Sequence, residues 1–220
     1  VNLTQLTAAI SNIVQDSDYD SEIGLRINEA ILKIATGDMI PGRYELSPPL
    51  PDLYTTATVD TVVGLGITDL PDDFNRDLFQ VVNSDEETIP IEPSFKRFLK
   101  QYTEIETGDV FRVAVHGNKL LYRDVPAEAE TLTVHYYKAP TELSDSTDTP
   151  SCIPAHLHRK LIVSHVCKDI FDEIEDGLDD PKINTQHHEK VYAQGLLELE
   201  VWAEAEKEPD YINVYGDYCE

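Results

Sequence analysis

Apolar positions along the chain repeat with two periods, and the period changes twice. Leu3, Leu6, Ile10, Ile13 and Val14 are spaced by three and four, or adjacent, which lines one face of a short helix. Ile23, Ile27, Ala30, Ile31 and Ile34 predict a second helix, with Asp18 or Asp20 able to cap its start and Gly37 placed where a left-handed C-terminal residue is wanted. Leu25 and Leu32 fall on the opposite side of that helix. Pro41, Gly42, Pro48, Pro49 and Pro51 then break any regular element, because proline fixes φ and lacks an N–H.

Between residues 55 and 140 the pattern turns to short runs rich in β-branched and aromatic residues, predicting strands over 55–63, 75–82, 88–91, 110–116, 119–123 and 131–138. His116-Gly117-Asn118-Lys119 reads as a tight hairpin, since Gly and Asn tolerate positive φ. Phe95, Phe98, Leu99 and Tyr102, following Pro93-Ser94, predict one short helix packed on this sheet.

From Pro154 the helical period returns. An arc of Leu157, Val163, Cys167, Ile170, Phe171 and Ile174 faces a core and ends at Gly177. Asp180-Pro181 restarts a helix running to about residue 207, with a main stripe of Ile183, His187, Val191, Val201, Trp202 and Ala205. Tyr192, Leu196 and Leu199 cluster on its far side. The expected fold is α+β: a four-helix bundle built from the N- and C-terminal segments, with an inserted small β-sandwich or barrel module. The organisation is helices over 1–40, a β module with one short helix over 41–140, helices over 141–209 and an extended tail over 210–220.

The second apolar stripes imply a second neighbour for two helices, either another helix of the bundle or another subunit. Leu25, Leu32, Tyr192, Leu196 and Leu199 are therefore the expected subunit-interface residues. The tail places Tyr211, Ile212, Val214, Tyr215 and Tyr218 among Asn, Gly and Asp; it cannot bury these side chains alone and is expected to lie on something else.

Charge narrows the partners. The 220 residues carry 42 Asp plus Glu against 17 Lys plus Arg, a net charge of -25, which excludes nucleic-acid binding by phosphate neutralisation and docking on an anionic membrane. Residues 141–220 hold 19 acids and 6 bases, more than half of the excess, yet they also carry the apolar arc, so the acid sits on a folded surface. No apolar run reaches membrane-spanning length, and no basic segment leads into an apolar one near Val1, so neither a membrane span nor an uncleaved signal peptide is expected. Cys152, Cys167 and Cys219, without a C-x-x-C pair, fit free thiols in a reducing compartment.

Candidate chemistry is thin. Asp16, Asp18, Asp20 and Glu22 alternate like a calcium loop, but Ser21 and Ile27 stand where that loop needs Gly and a bidentate Glu, so capping is the better reading. His158, His165, Asp169 and Asp172 project from one helix face, but His158 is two turns from His165 and cannot share its ion, so a solvated face is expected. His187 reads as a core or interface residue. Gly64-Leu65-Gly66 lacks the third glycine and the βαβ unit of a dinucleotide loop and reads as a turn. Asp72-Asp73, Ser144-Asp145 and Asp179-Asp180 fall at turns or caps, and no activated nucleophile appears. No catalytic residue, cofactor or metal is expected.

The order of elements carries a resemblance. Two N-terminal helices and a Pro-rich connector precede Leu70-Pro71-Asp72-Asp73-Phe74. Tyr136-Tyr137-Lys138-Ala139-Pro140 ends the last strand, the run from Leu143 to Pro150 follows, and Ile153-Pro154 opens a long helix. Over nearly its whole length the chain resembles the head-to-tail adaptor (connector) proteins of tailed bacteriophages. The resemblance implies a structural virion protein rather than an enzyme: a dodecameric ring at the head-tail neck, assembled in the host cytoplasm, bound beneath the portal protein and presenting a platform to a tail or nozzle protein. It implies a C-terminal segment that reaches the portal, here with Tyr211, Ile212, Val214, Tyr215 and Tyr218 as anchors. DNA would pass through without specific binding, and a carboxylate-lined wall would repel phosphates so that the duplex slides. Two other readings remain: a tail-completion or tail-tube subunit, and an acidic DNA-mimic inhibitor that competes with DNA for a basic protein. A hydrolase using the His158, His165 and Asp169 face ranks last.

Overall fold

The first helix, α1 (Leu3–Val14), starts on a capping box in which Asn2 Oδ1 accepts from the Gln5 amide at 2.9 Å and Gln5 Oε1 accepts from the Asn2 amide at 3.1 Å. It buries Leu6, Ile10 and Val14. The computed structural model describes residues 1–40, 42–43, 45–102, 106–176 and 182–206, with residues 205 and 206 described by their backbone alone. Helix α2 (Ile23–Thr36) buries Ile23, Ile27, Ala30, Ile31, Ile34 and Ala35. Neither Asp18 nor Asp20 caps it. Asp16 accepts from the Asp18 amide at the head of a 3-10 turn over Ser17–Tyr19, Asp20 accepts from Ser11 Oγ at 2.8 Å, and Glu22 precedes α2 with helical backbone angles, its carboxylate paired to Arg26. Asp16 serves the turn and Asp20 serves α1, and the α2 N-terminus has no side-chain cap.

Gly37 follows α2 at φ +108°, and a Cβ there would lie 2.7 Å from Arg76 Nη1. That guanidinium donates to the Ser47 carbonyl at 3.0 Å, so glycine is needed both for the turn and for the close approach of the β region.

The middle of the chain forms two antiparallel sheets. The first contains β1 (Tyr54–Asp60), β3 (Phe74–Val82), β4 (Thr88–Ile89) and β7 (Thr131–Lys138) in the order β1-β7-β3-β4, and the second contains β2 (Ile67–Asp69), β5 (Arg112–His116) and β6 (Lys119–Arg123) in the order β2-β6-β5. The β5–β6 pair closes through Gly117 at φ +60°, with His116 opposite Lys119, where the hairpin is expected. β2 is not foreseen by the sequence, because three residues are too few to show a period. Val59, Val81, Leu132, Val134 and Tyr136 of the first sheet share a buried cluster with Val113, Leu120 and Tyr122 of the second. The alternate residues Ala114 and Leu121 point away from that cluster and receive Phe98 of α3 (Phe95–Gln101).

The chain re-enters the helical region through a π turn over Arg159–Val163, which leads into α4 (Ser164–Ile174). Leu161, Ile162, Val163, Val166, Cys167 and Ile170 are all buried, so this element is surrounded, whereas the sequence predicts a single core-facing arc. Helix α5 (Ile183–Glu206) packs mainly on α4 and approaches the π turn closely, since a Cβ at Gly195 would sit 3.0 Å from Leu161 Cδ2 and 3.1 Å from Lys160 Cβ. The predicted Gly177 stop and Asp180-Pro181 start lie outside the described residues. Within them, Glu175 serves the α5 N-terminus, accepting from the Asn184 and Thr185 amides at 3.0 and 3.1 Å and from Thr185 Oγ1 at 2.7 Å.

The faces of α5 are reversed relative to expectation. Tyr192, Leu196, Leu199 and Ala203 are its buried side, packed into the cluster shared by α1, α2 and α4, while Ile183, His187 and Val201 of the predicted main stripe are exposed. Tyr192, Leu196 and Leu199 are thus core residues of their own chain and not available to another subunit. Leu50, Leu53, Leu143 and Ile153 from the connecting segments complete this cluster, and Tyr137 of β7 packs against it, tying the sheets to the helices.

Candidate interaction surfaces

The predicted His and Asp face is solvated only in part: Asp172 is exposed and Asp169 half-buried, but both histidines are buried. His158 is buried and donates from Nε2 to the Ile153 carbonyl at 2.8 Å, and burial holds its pKa below the usual imidazole value. His165, also buried, takes Lys33 Nζ at 3.2 Å on Nε2 and places Nδ1 3.1 Å from Asp169 Oδ2. Lys33 in turn lies 3.4 Å from Asp38, which accepts from Tyr192 Oη at 2.8 Å. Burial and the Asp38 carboxylate push the Tyr192 phenol up. Asp172 instead pairs with Lys182 at 2.8 Å. These groups knit α2, α4 and α5 together. No group of three His, Cys, Asp or Glu side chains among the described residues has the geometry to hold a metal ion. Burial raises the Cys152 thiol to about 11 and the Cys167 thiol to about 12, which keeps both unreactive; Cys219 lies outside the described residues.

What the molecule presents outward is apolar surface. Leu25 is 62% and Leu32 47% exposed, and they flank a groove of about 240 Å³ between α2 and the Ala139–Glu142 segment. They are the part of the predicted interface set that stays uncovered. Across the fold, His156, Leu197, Val201 and Trp202 line a second, open depression of about 520 Å³ on α5, where Val201 is 68% exposed.

The sheets add two patches that the sequence reading does not single out. Tyr54, Phe79, His135 and Tyr137 gather on the outward face of the first sheet, with Phe79 5.6 Å from Tyr54 and 5.7 Å from Tyr137 between ring centroids and Tyr54 Oη 2.8 Å from His135 Nδ1. Their signal is alternation in part: His135 and Tyr137 are two apart in β7 and register sets Tyr137 opposite Tyr54, but Phe79 joins them from a register shift between Arg76 and Gln80 that alternation does not show. The loop between β1 and β2 leaves Val62, Val63 and Leu65 exposed. Gly64-Leu65-Gly66 is the turn it was expected to be, with Gly64 at φ +73°.

Among the described residues, then, no side-chain group could hold a metal, and apolar side chains stand exposed on several elements. Its sequence matches the family model described as SU10 adaptor protein over residues 1–212. The chain belongs to this phage head-to-tail adaptor family. No individual curated protein matches it. The adaptor family is a structural one and makes this chain a virion component. No helix of the described part of the adaptor is long and apolar enough to cross a membrane. The tail residues Tyr211, Ile212, Val214, Tyr215 and Tyr218 lie outside the described residues.

Proposed function

We propose that copies of this adaptor assemble into a closed ring, a dodecamer as the resemblance implies, that binds the portal, joins the capsid to a tail or nozzle protein and bounds part of the DNA passage. The observation that carries the reading is the outward display of Leu25 and Leu32 on α2 and of Leu197 and Val201 on α5, two unlike apolar faces on one chain. Unlike faces that meet head to tail propagate from copy to copy, giving a ring where the rotation between copies closes and an open filament where it does not. Leu25 and Leu32 are the proposed subunit contacts on α2, and the tail beyond residue 209 is the proposed portal-binding segment. The net charge of -25 supports a passage wall that repels phosphate, and the like charge of neighbouring copies has to be outweighed by extensive contacts between them.

Sedimentation velocity and negative-stain imaging, with the chain alone and mixed with portal protein, test the ring. The expected result is a closed oligomer, alone or nucleated on the portal. Leu25→Glu with Leu32→Glu should abolish it while leaving thermal unfolding of the subunit nearly unchanged. A strict monomer that ignores the portal would sink the reading. Binding to tail tube in place of portal would favour the tail-completion alternative.

A further inference from the structure

Within this acidic chain, residues 95–123 run the other way: Lys96, Arg97, Lys100, Arg112, Lys119 and Arg123 against Glu104, Glu106 and Asp109. The fold gathers three of these cations on one surface. α3 turns Phe98 inward onto Ala114 and Leu121 with Phe95 and Tyr102 beside it, so Lys96, Arg97, Leu99 and Lys100 are left facing out, all exposed. Phe95 stacks on His116 at 3.9 Å and seats the first turn of the helix on the end of β5. Behind this face is one buried acid, Glu92, 5% exposed, with Oε1 3.7 Å from Arg97 Nε and Oε2 3.7 Å from Arg112 Nη1. Both are ion pairs at separations beyond hydrogen bonding, so Glu92 offsets part of the Arg97 charge, and the face keeps its excess of cations through Lys96 and Lys100.

The opposite charge is concentrated at the β3–β4 edge of the same molecule. A groove of about 900 Å³ there is lined by Asp85, Glu87, Asp109, Glu128 and Glu130, and by no Lys or Arg. The acids crowd one another: burial, reinforced by the charges of Asp109 and Asp85, pushes the Glu130 carboxyl above its usual value despite a backbone hydrogen bond at Val110. Exposed Phe111 adds an apolar wall to the groove, matching exposed Leu99 on α3.

We infer that the outward face of α3 in one copy docks in the acidic groove of a second copy, setting Lys96, Arg97 and Lys100 against the five groove carboxylates. The inference rests on the self-association proposed above and names a contact for it. Complementarity selects a second copy over a nucleic acid, because the groove carried by the chain itself matches the face in both respects, carboxylates for Lys96, Arg97 and Lys100 and exposed Phe111 for exposed Leu99, whereas a phosphate backbone matches the charge alone. The two surfaces are unlike, so they can meet head to tail, which is compatible with a ring.

Charge reversal with rescue tests it. Three exposed-surface variants are compared with wild type by sedimentation velocity: Lys96→Glu/Arg97→Glu/Lys100→Glu, Asp85→Lys/Glu87→Lys/Glu128→Lys, and the two combined in one chain. Circular dichroism checks that each is folded. Either set alone should weaken self-association by about 100-fold or more, and the combined chain should recover to within about tenfold of wild type, since each reversed face then meets a reversed groove. Wild-type assembly that the α3 variant leaves intact overturns this contact while the ring stands; a wild type that never associates overturns both. A combined variant that stays dissociated overturns the pairing. Duplex binding by wild type that the α3 variant abolishes, with assembly unaffected, identifies phosphate as the true partner of α3 and also overturns it.

Discussion

His158 sits at 3% exposure with its Nε2–H committed to the Ile153 carbonyl, so protonation would place a charge where no water can solvate it. Its folded pKa lies below the unfolded value, chiefly from burial. A depressed histidine contributes stability that is fully present above the unfolded pKa and is lost as pH falls through the folded one. His158→Gln should therefore be less stable than wild type at pH 7, with the gap narrowing toward pH 5; urea unfolding measured across that range would show parallel curves if the imidazole were not titrating. Asp169 acts lower on the scale. Burial raises its carboxyl, but hydrogen bonding and charge from His165, then Lys168, more than offset this and hold it at about 2, so its contribution is fully present above about pH 4 and is lost as pH falls from there through about 2. Gly37 is set by backbone rather than charge. At φ +108°, with Arg76 Nη1 2.7 Å from any Cβ, Gly37→Ala should cost about 1–3 kcal/mol in urea unfolding.

Helix α5 is where element-scale reasoning and structure part. Its apolar residues fall on two sides, and counting favours the side with Ile183, Val201 and Trp202, yet the core takes the side with Tyr192, Gly195, Leu196 and Leu199. The deciding feature is glycine: Gly195 lets the helix approach within van der Waals contact of Leu161 and Lys160, and only that side can pack so closely. The energetic consequence is testable on the folded monomer. Leu199→Ala should cost about 2–4 kcal/mol, while Val201→Ala should stay within about 0.5 kcal/mol. Equal costs in denaturant titrations would show that the assigned faces are wrong. Helices α1 and α2 and the longer strands of the β region were legible because each has one dominant period, as in the Leu6, Ile10 and Val14 stripe of α1, whereas three-residue β2 is too short to show one.

For the whole molecule, self-repulsion is the controlling quantity. With 42 acids against 17 bases, raising NaCl from about 20 mM to about 500 mM shortens the screening length and relieves more repulsion than it weakens surface ion pairs. Differential scanning calorimetry of the subunit at low protein concentration should show Tm rising by several degrees. A falling Tm would mean that ion pairs such as Arg26 with Glu173 outweigh the excess charge.

Residue order alone established the mixed helix and sheet character, the β5–β6 hairpin, the glycine stop after α2, the acid excess and the run of landmarks that resembles phage adaptors. Those are local or additive properties: a period, a turn dipeptide, a sum of charges. Which side of α5 is core, that His158 and His165 are buried, and that Lys96, Arg97 and Lys100 share one open face were settled only by tertiary packing. Each depends on what lies opposite a side chain in space, and residues more than a hundred positions away, such as Lys33 beside His165, supply that neighbour.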